Sequence, residues 1–225
     1  DWTKLVGTSG SDNADALSVS SDGSVYIGGS LNGFANSVIS DGFITKFDQN
    51  GIEEWTYLFE SSEFDWVDSI DVDNNGYVYV AGDTTSTLNE FSSNTGKDIS
   101  NSFIAKLATD GSLIWKEEFP NYDVNQIKVS TDGYIYAVGN ERDWTGSFLK
   151  KFNSNGDEDF TKLYENIVDL DFNSHEYINL SEDGDIYVTG DGYFELEDSS
   201  RERTGYIIRL NKNGDILWSE IFANK

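Results

Sequence analysis

The chain of 225 residues contains no cysteine, no methionine, one proline and one histidine. Without cysteine there is no disulfide, no thiol nucleophile and no thiolate metal site. The single histidine, His175, is the only one a Ser-His-Asp triad could use, and Asn173-Ser174-His175-Glu176 reads as a surface loop entering a strand. Zinc, which draws on several His or Cys, is excluded by the same shortage. Bases are scarce as well: 15 Lys and Arg stand against 41 Asp and Glu, for a net charge of −26. A field of that sign repels phosphate backbones and anionic headgroups, which excludes nucleic acid and argues against docking on anionic lipid. No apolar run approaches the roughly 20 residues that span a bilayer, so no membrane insertion is expected. No signal peptide remains, and a chain that starts at Asp1 without any Met reads as a processed or excised piece of a longer polypeptide.

What is present is β-forming. Aromatics make up 14% of the residues and apolar residues 37%, a composition rich in strand formers and unlike that of disordered chains. The dominant feature is a repeat. Ala16–Gly29 (ALSVSSDGSVYIGG) recurs as Ser69–Gly82, Gln126–Gly139 and Tyr177–Gly190. Each copy is an alternating run, an Asp-Gly or Asn-Gly turn and a second alternating run, the pattern of a hairpin whose two turn positions both need positive φ. These are strands a and b. A second hairpin follows each time. Its first strand, c, begins at Phe43, Phe103, Phe148 and Tyr206; a turn at Gly51, Gly111, Gly156 and Gly214 leads to strand d with an aromatic at Trp55, Trp115, Phe160 and Trp218.

A four-strand antiparallel unit has two open edges and two faces to bury, and stacking of copies buries the faces. The fold class expected is therefore all-β: a β-propeller of four-stranded antiparallel blades. The units fall at about 7–59, 60–119, 120–164 and 165–222, within a single domain over 1–225. Asp1-Trp2-Thr3-Lys4-Leu5-Val6 repeats the spelling of strand d at Glu54–Phe59, so an extra outer strand is expected at 1–6, pairing at the outer edge of a blade.

The run Trp2-Thr3-Lys4-Leu5 with Gly7-Thr8-Ser9-Gly10-Ser11-Asp12, followed by Ala14-Asp15-Ala16, Ser21–Gly29 and Asp41–Phe47, resembles a secreted bacterial repeat family named for a seven-bladed β-propeller. It looks especially like the tandem arrays of very large cyanobacterial and marine bacterial surface proteins. The resemblance implies the propeller fold and a secreted or cell-surface setting, but no catalytic residue. The chain departs from the family in having four units and longer loops at Asp83–Asn101 and Asp191–Thr204.

Four recurrent oxygen side chains precede the a–b turns by seven residues: Asp15, Asp68, Asn125 and Glu176. If strand a lines an axis, they converge at the mouth of a channel, where Ca²⁺, which takes six to eight oxygens, is the cation expected. The competing reading is that each caps its own turn. Asp71-Val72-Asp73-Asn74-Asn75-Gly76 begins like a calcium loop but has Gly82 where the bidentate Glu belongs. Trp66 and Trp144 lie off the repeat, in a d-to-a link and a b-to-c loop, and mark a loop-rich face for a protein or glycan ligand. With no agreed nucleophile, the function expected is a non-catalytic structural, adhesion or interaction module of a larger secreted protein, requiring no cofactor. A lectin-like propeller and a polysaccharide-active enzyme using paired carboxylates are the alternatives.

Overall fold

A computed structural model of the chain describes residues 2–32, 40–60, 64–84, 101–141, 146–164, 170–172, 176–195 and 201–222. Among these residues there is no helix. Seventeen strands run in order: β1 (Asn13–Val19), β2 (Val25–Asn32), β3 (Ser40–Phe47), β4 (Glu53–Phe59), β5 (Asp65–Val72), β6 (Val78–Thr84), β7 (Asn101–Leu107), β8 (Leu113–Pro120), β9 (Tyr122–Val129), β10 (Ile135–Glu141), β11 (Ser147–Phe152), β12 (Glu158–Tyr164), β13 (Leu170–Phe172), β14 (Tyr177–Leu180), β15 (Ile186–Glu195), β16 (Arg201–Leu210) and β17 (Ile216–Ile221).

Each repeat makes one antiparallel sheet with its strands in chain order: β1-β2-β3-β4, β5-β6-β7-β8 and β9-β10-β11-β12. In the fourth, strand a is split, so β14 pairs the start of β15 and β13 pairs its end. The stretch 191–204, expected as a loop, is largely an extension of the b–c hairpin, paired from Asp191↔Gly205 to Glu195↔Arg201. Tyr193 and Phe194 are strong strand formers, and Arg203 pairs with Asp191 across the ladder.

All eight hairpin turns are alike. In the first, Gly23 N–H donates to Ser20 O and Ser20 N–H to Ser24 O; the same two bonds recur from Asp48 to Ile52, Asp73 to Tyr77, Ala108 to Ser112, Ser130 to Tyr134, Asn153 to Asp157, Ser181 to Asp185 and Asn211 to Asp215. Only the glycine of each turn takes positive φ, between 75° and 90°. This corrects the expectation of two positive-φ positions. The three-residue loop places one residue in the left-handed region, and glycine occupies it at no steric cost.

The chain divides into two compact units, Asp1–Asn121 and Tyr122–Lys225. In the first, one face of the β1–β4 sheet (Ala16, Tyr26, Ile44, Phe59) meets Val67, Ile70, Val78, Val80, Phe103 and Leu107 of the next sheet in one core. In the second, Tyr136, Val138 and Leu149 meet Ile178, Ile186, Val188, Tyr206, Ile208 and Leu210. Apolar side chains of facing sheets are thus buried sheet on sheet, and central strands such as β7 and β11 are buried along their whole length.

Trp2–Val6 forms no ladder, a correction to the expected outer strand. The reason is supply: every sheet already has its own strand d, in β4, β8, β12 and β17, so no strand c among the described residues is left to receive another.

Candidate functional site

The recurrent oxygen-bearing position has one structural identity in three sheets. Pairing steps from Ala14 to Ala16 around Asp15, and from Val67 to Ser69 around Asp68. On β9 it steps from Val124 to Gln126 around Asn125. Each is the extra residue of a β-bulge, which kinks the strand and leaves that residue out of the ladder. The bulge drives the a-strand carbonyl into the facing b strand. A Cβ on Gly29, Gly82 or Gly139 would lie 2.1, 2.0 or 1.9 Å from the carbonyl oxygen of Asn13, Trp66 or Asp123. In these three repeats the b-strand glycine and the bulged polar residue across the ladder are therefore one device.

The four side chains have different surroundings. Asp15 is exposed, and Asp68 and Asn125 are half-buried. Asn125 Nδ2 donates to Asn140 Oδ1 at 3.1 Å. Glu176, just before β14, is 1% exposed. It faces the core between the third and fourth sheets and lines a cavity of about 10 Å³ with Val138, Ser147, Phe148, Tyr164 and Tyr206. Tyr206 Oη donates to Glu176 Oε1 at 2.7 Å. Oε2 has no partner of full hydrogen-bond geometry, although the Ser147 hydroxyl and the Gly139 amide lie close enough to favour the charged form. Burial outweighs them and pushes the carboxyl up to about 8, because a charge in an apolar cavity loses its hydration. The Tyr206 hydroxyl is raised by burial and by the neighbouring Glu176, so it remains a donor. Among the described residues no three Asp, Glu, His or Cys side chains are grouped to hold a metal.

The turn acids are engaged by their own backbone. Asp73 Oδ1 accepts from the amides of Asn75 and Tyr77, at 2.9 and 3.0 Å, so the loop that begins like a calcium site uses its second aspartate as a turn scaffold. Asp48, Asn153 and Asn211 likewise each accept two turn amides. Asp22 accepts from the Ser20 hydroxyl and the Ser24 amide, which hold its carboxyl down at about 2. Asp12 was not singled out by the sequence reading, yet it organises the N-terminal loop, accepting from Thr8 N, Thr8 Oγ1 and Asn32 N. Its signal was present in the Gly-Ser-Asp run that carries the family resemblance.

Trp66 lies within β5, half-buried and paired with Asp83, rather than in a link. Trp144 and His175 lie outside the described residues. Sequence reasoning missed a groove of about 340 Å³ in the second unit, lined by Gln126, Lys128, Tyr177, Asn179, Tyr187 and Thr189 among others. Tyr177 is 56% exposed. Gln126 Oε1 accepts from Ile178 N at 2.6 Å and Asn179 Oδ1 from Leu180 N at 2.9 Å.

Comparison with known proteins agrees with the repeat and with the fold. Residues 54–89 match the family model of the SBBP beta-propeller repeat; the match opens on β4 and runs through β5 and β6. The regulatory protein FlaEY of Caulobacter vibrioides is 32% identical over 117 residues, 44% of this chain and 12% of that protein. Among solved structures, hydrazine synthase of Kuenenia stuttgartiensis is similar at a TM-score of 0.61 and 15% identity, over 90% of this chain and 53% of that one, a likeness of fold alone. The chain thus spans 53% of the hydrazine synthase chain and 12% of FlaEY. It carries a beta-propeller repeat at residues 54–89, set in an all-β, propeller-like fold of four-stranded antiparallel sheets.

Proposed function

We propose that the chain is a non-catalytic interaction module of a larger secreted or cell-surface protein, presenting its sheets and turns to a protein or glycan ligand. The observation that supports this most is the use of the acids. The chain has 41 Asp and Glu, and in the hairpin turns carboxylates accept backbone amides of their own loops. A carboxylate bound to its own turn is a scaffold, not a general acid free to meet substrate. The net charge of −26 keeps such a module soluble and repels nucleic acid.

A carbohydrate-binding reading is favoured by the groove beside Tyr177. Its volume lies at the low end of the ligand-pocket range, and it combines an exposed phenol ring with two amides. The test is a glycan array run beside hydrolysis assays on the same polysaccharides. Retention of a glycan or protein ligand without turnover is expected. Turnover that scales with purified protein would overturn the module reading, and retention unaffected by Tyr177→Ala would remove the groove from it.

A further inference from the structure

One face of the fourth sheet carries side chains that the other repeats do not place there. Tyr177, Thr189 and Ile207 stand in a row across β14, β15 and β16, each opposite the next in the ladder, so the three share a face. In the place of Tyr177 the other repeats have Ala16, Ser69 and Gln126, and in the place of Thr189 they have Gly28, Ala81 and Val138. The fourth repeat alone combines a ring at the first place with a hydroxyl at the second. Ile44, Ile104 and Leu149, the counterparts of Ile207, are fully buried, whereas Ile207 is half-buried and Thr189 exposed. With strands about 4.8 Å apart, the row from ring to isoleucine is about 10 Å long.

The hydrogen-bonding groups around this row are already partly engaged, and what remains is ordered. Gln126 Oε1 and Asn179 Oδ1 accept main-chain amides, so each side chain meets a ligand with its NH₂ donors. Lys128, in the same lining, is also a donor. Thr189 donates its hydroxyl to Tyr206 O at 2.7 Å and meets a ligand as an acceptor. The floor is set in advance. Tyr187 is held between Trp218, with ring centroids 6.3 Å apart, and the Arg209 guanidinium, 5.8 Å from its centroid. None of the lining residues is acidic, in a chain with 41 Asp and Glu.

We infer that this groove binds the acetamido group of an N-acetylated amino sugar in a neutral glycan, which rests on the carbohydrate reading of the groove. A sugar hydroxyl serves as donor or acceptor alike and calls for no apolar neighbour. An acetamido group presents an N–H, a C=O and a methyl in one rigid plane. Its N–H donates to Thr189 Oγ1, and its methyl lies on Ile207, whose Cβ is about 5 Å from that of Thr189 across the ladder. Its carbonyl accepts from the NH₂ groups of Gln126 and Asn179, and the apolar face of the sugar ring lies on Tyr177. Charge selects the acetylated form. A free amino sugar is cationic and would meet Lys128 without a carboxylate, and a uronate would meet the field of a chain at −26.

The test is calorimetry of the full chain with chitotetraose and cellotetraose, which differ in bearing an acetamido group or a hydroxyl at each C2. The parent should bind chitotetraose at least about tenfold more tightly. Thr189→Val keeps the branched shape and removes the acceptor, Ile207→Ser removes the apolar neighbour, and either should bring the two affinities within about threefold. Tyr177→Ala should weaken both by about tenfold and leave their ratio unchanged. The comparison on the parent stands even where a variant fails to fold. Equal affinity for the two tetramers, or binding of neither while the array retains another glycan through Tyr177, would overturn the acetamido assignment and leave the carbohydrate reading in place. A preference for chitotetraose that survives both Thr189→Val and Ile207→Ser would overturn it as well. Retention of no glycan at all would remove the carbohydrate reading together with it.

Discussion

Replacing Glu176 by Gln keeps an acceptor for the Tyr206 hydroxyl and removes the buried ionisation. The ordinary carboxyl value of 4.5 is raised to about 8 by burial, which corresponds to about 5 kcal/mol between the two protonation states. The sign is set by which state holds the proton. Below about pH 4.5 folded and unfolded chains are both protonated at this site, and its contribution is fully present. Between 4.5 and 8 the unfolded chain loses the proton while the folded chain keeps it, so stability falls as pH rises, by up to about 1.4 kcal/mol per unit. Above 8 the loss is complete. The titratable neighbours facing the carboxyl are Tyr206 and Tyr164, both raised by burial, so neither hydroxyl adds a charge in this range. Urea unfolding of the parent and Glu176→Gln, followed through the second unit at pH 5 to 9, should give a stability difference that grows in favour of Gln by about 4 kcal/mol. A difference that stays flat across that range would refute the reasoning and place water or an ion pair at the carboxylate.

Gly82→Ala should cost more than about 2 kcal/mol, because its Cβ would stand 2.0 Å from the Trp66 carbonyl oxygen. Gly133→Ala, with nothing within 4 Å and only a positive φ to oppose it, should cost about 1 kcal/mol; chemical denaturation of the pair separates collision from conformational strain. Trp55→Ala removes the cover of the Gly111 turn and the bond to Thr109 O and should cost about 3 kcal/mol, seen in the first unit by hydrogen exchange. Tyr177→Ala, at a half-exposed ring, should leave the melting temperature within about 2 °C of the parent and lower any glycan affinity about tenfold or more by calorimetry.

The four-strand repeat was legible because two signals agree in every copy: alternation with period two, and a glycine at each turn. The turn geometry was misread because Asp-Gly suits both a two-residue loop and a three-residue one, and only the Ser20-to-Ser24 type of pairing separates them. The recurrent Asp15, Asp68, Asn125 and Glu176 were recognised as a set, but their meaning lay in a distance. A bulge is announced by the glycine across the ladder (Gly29, Gly82, Gly139), and nothing local to the acid says that a carbonyl will press on it. Glu176 turned inward because it stands beside a Tyr206 hydroxyl and an apolar wall contributed by the third sheet, a long-range fact. The groove beside Tyr177 was invisible for the same reason: Gln126 and Asn179 come from different repeats. Trp2–Val6 was read from its spelling as a paired outer strand, and it forms no ladder, since pairing depends on a partner strand that a local pattern does not count.

The bulge at Asp68 ties together the register of the sheet, the need for Gly82 and the removal of the recurrent acid from any ladder. Because the chain has no cysteine, engineered pairs read that register directly. With the bulge, Asp83 faces Trp66; without it, Asp83 would face Val67. Air oxidation of Trp66→Cys/Asp83→Cys and of Val67→Cys/Asp83→Cys, scored by intact mass, should cross-link the first pair and leave the second reduced. Cross-linking of the second pair alone would show an unbroken ladder through Asp68 and contradict the account.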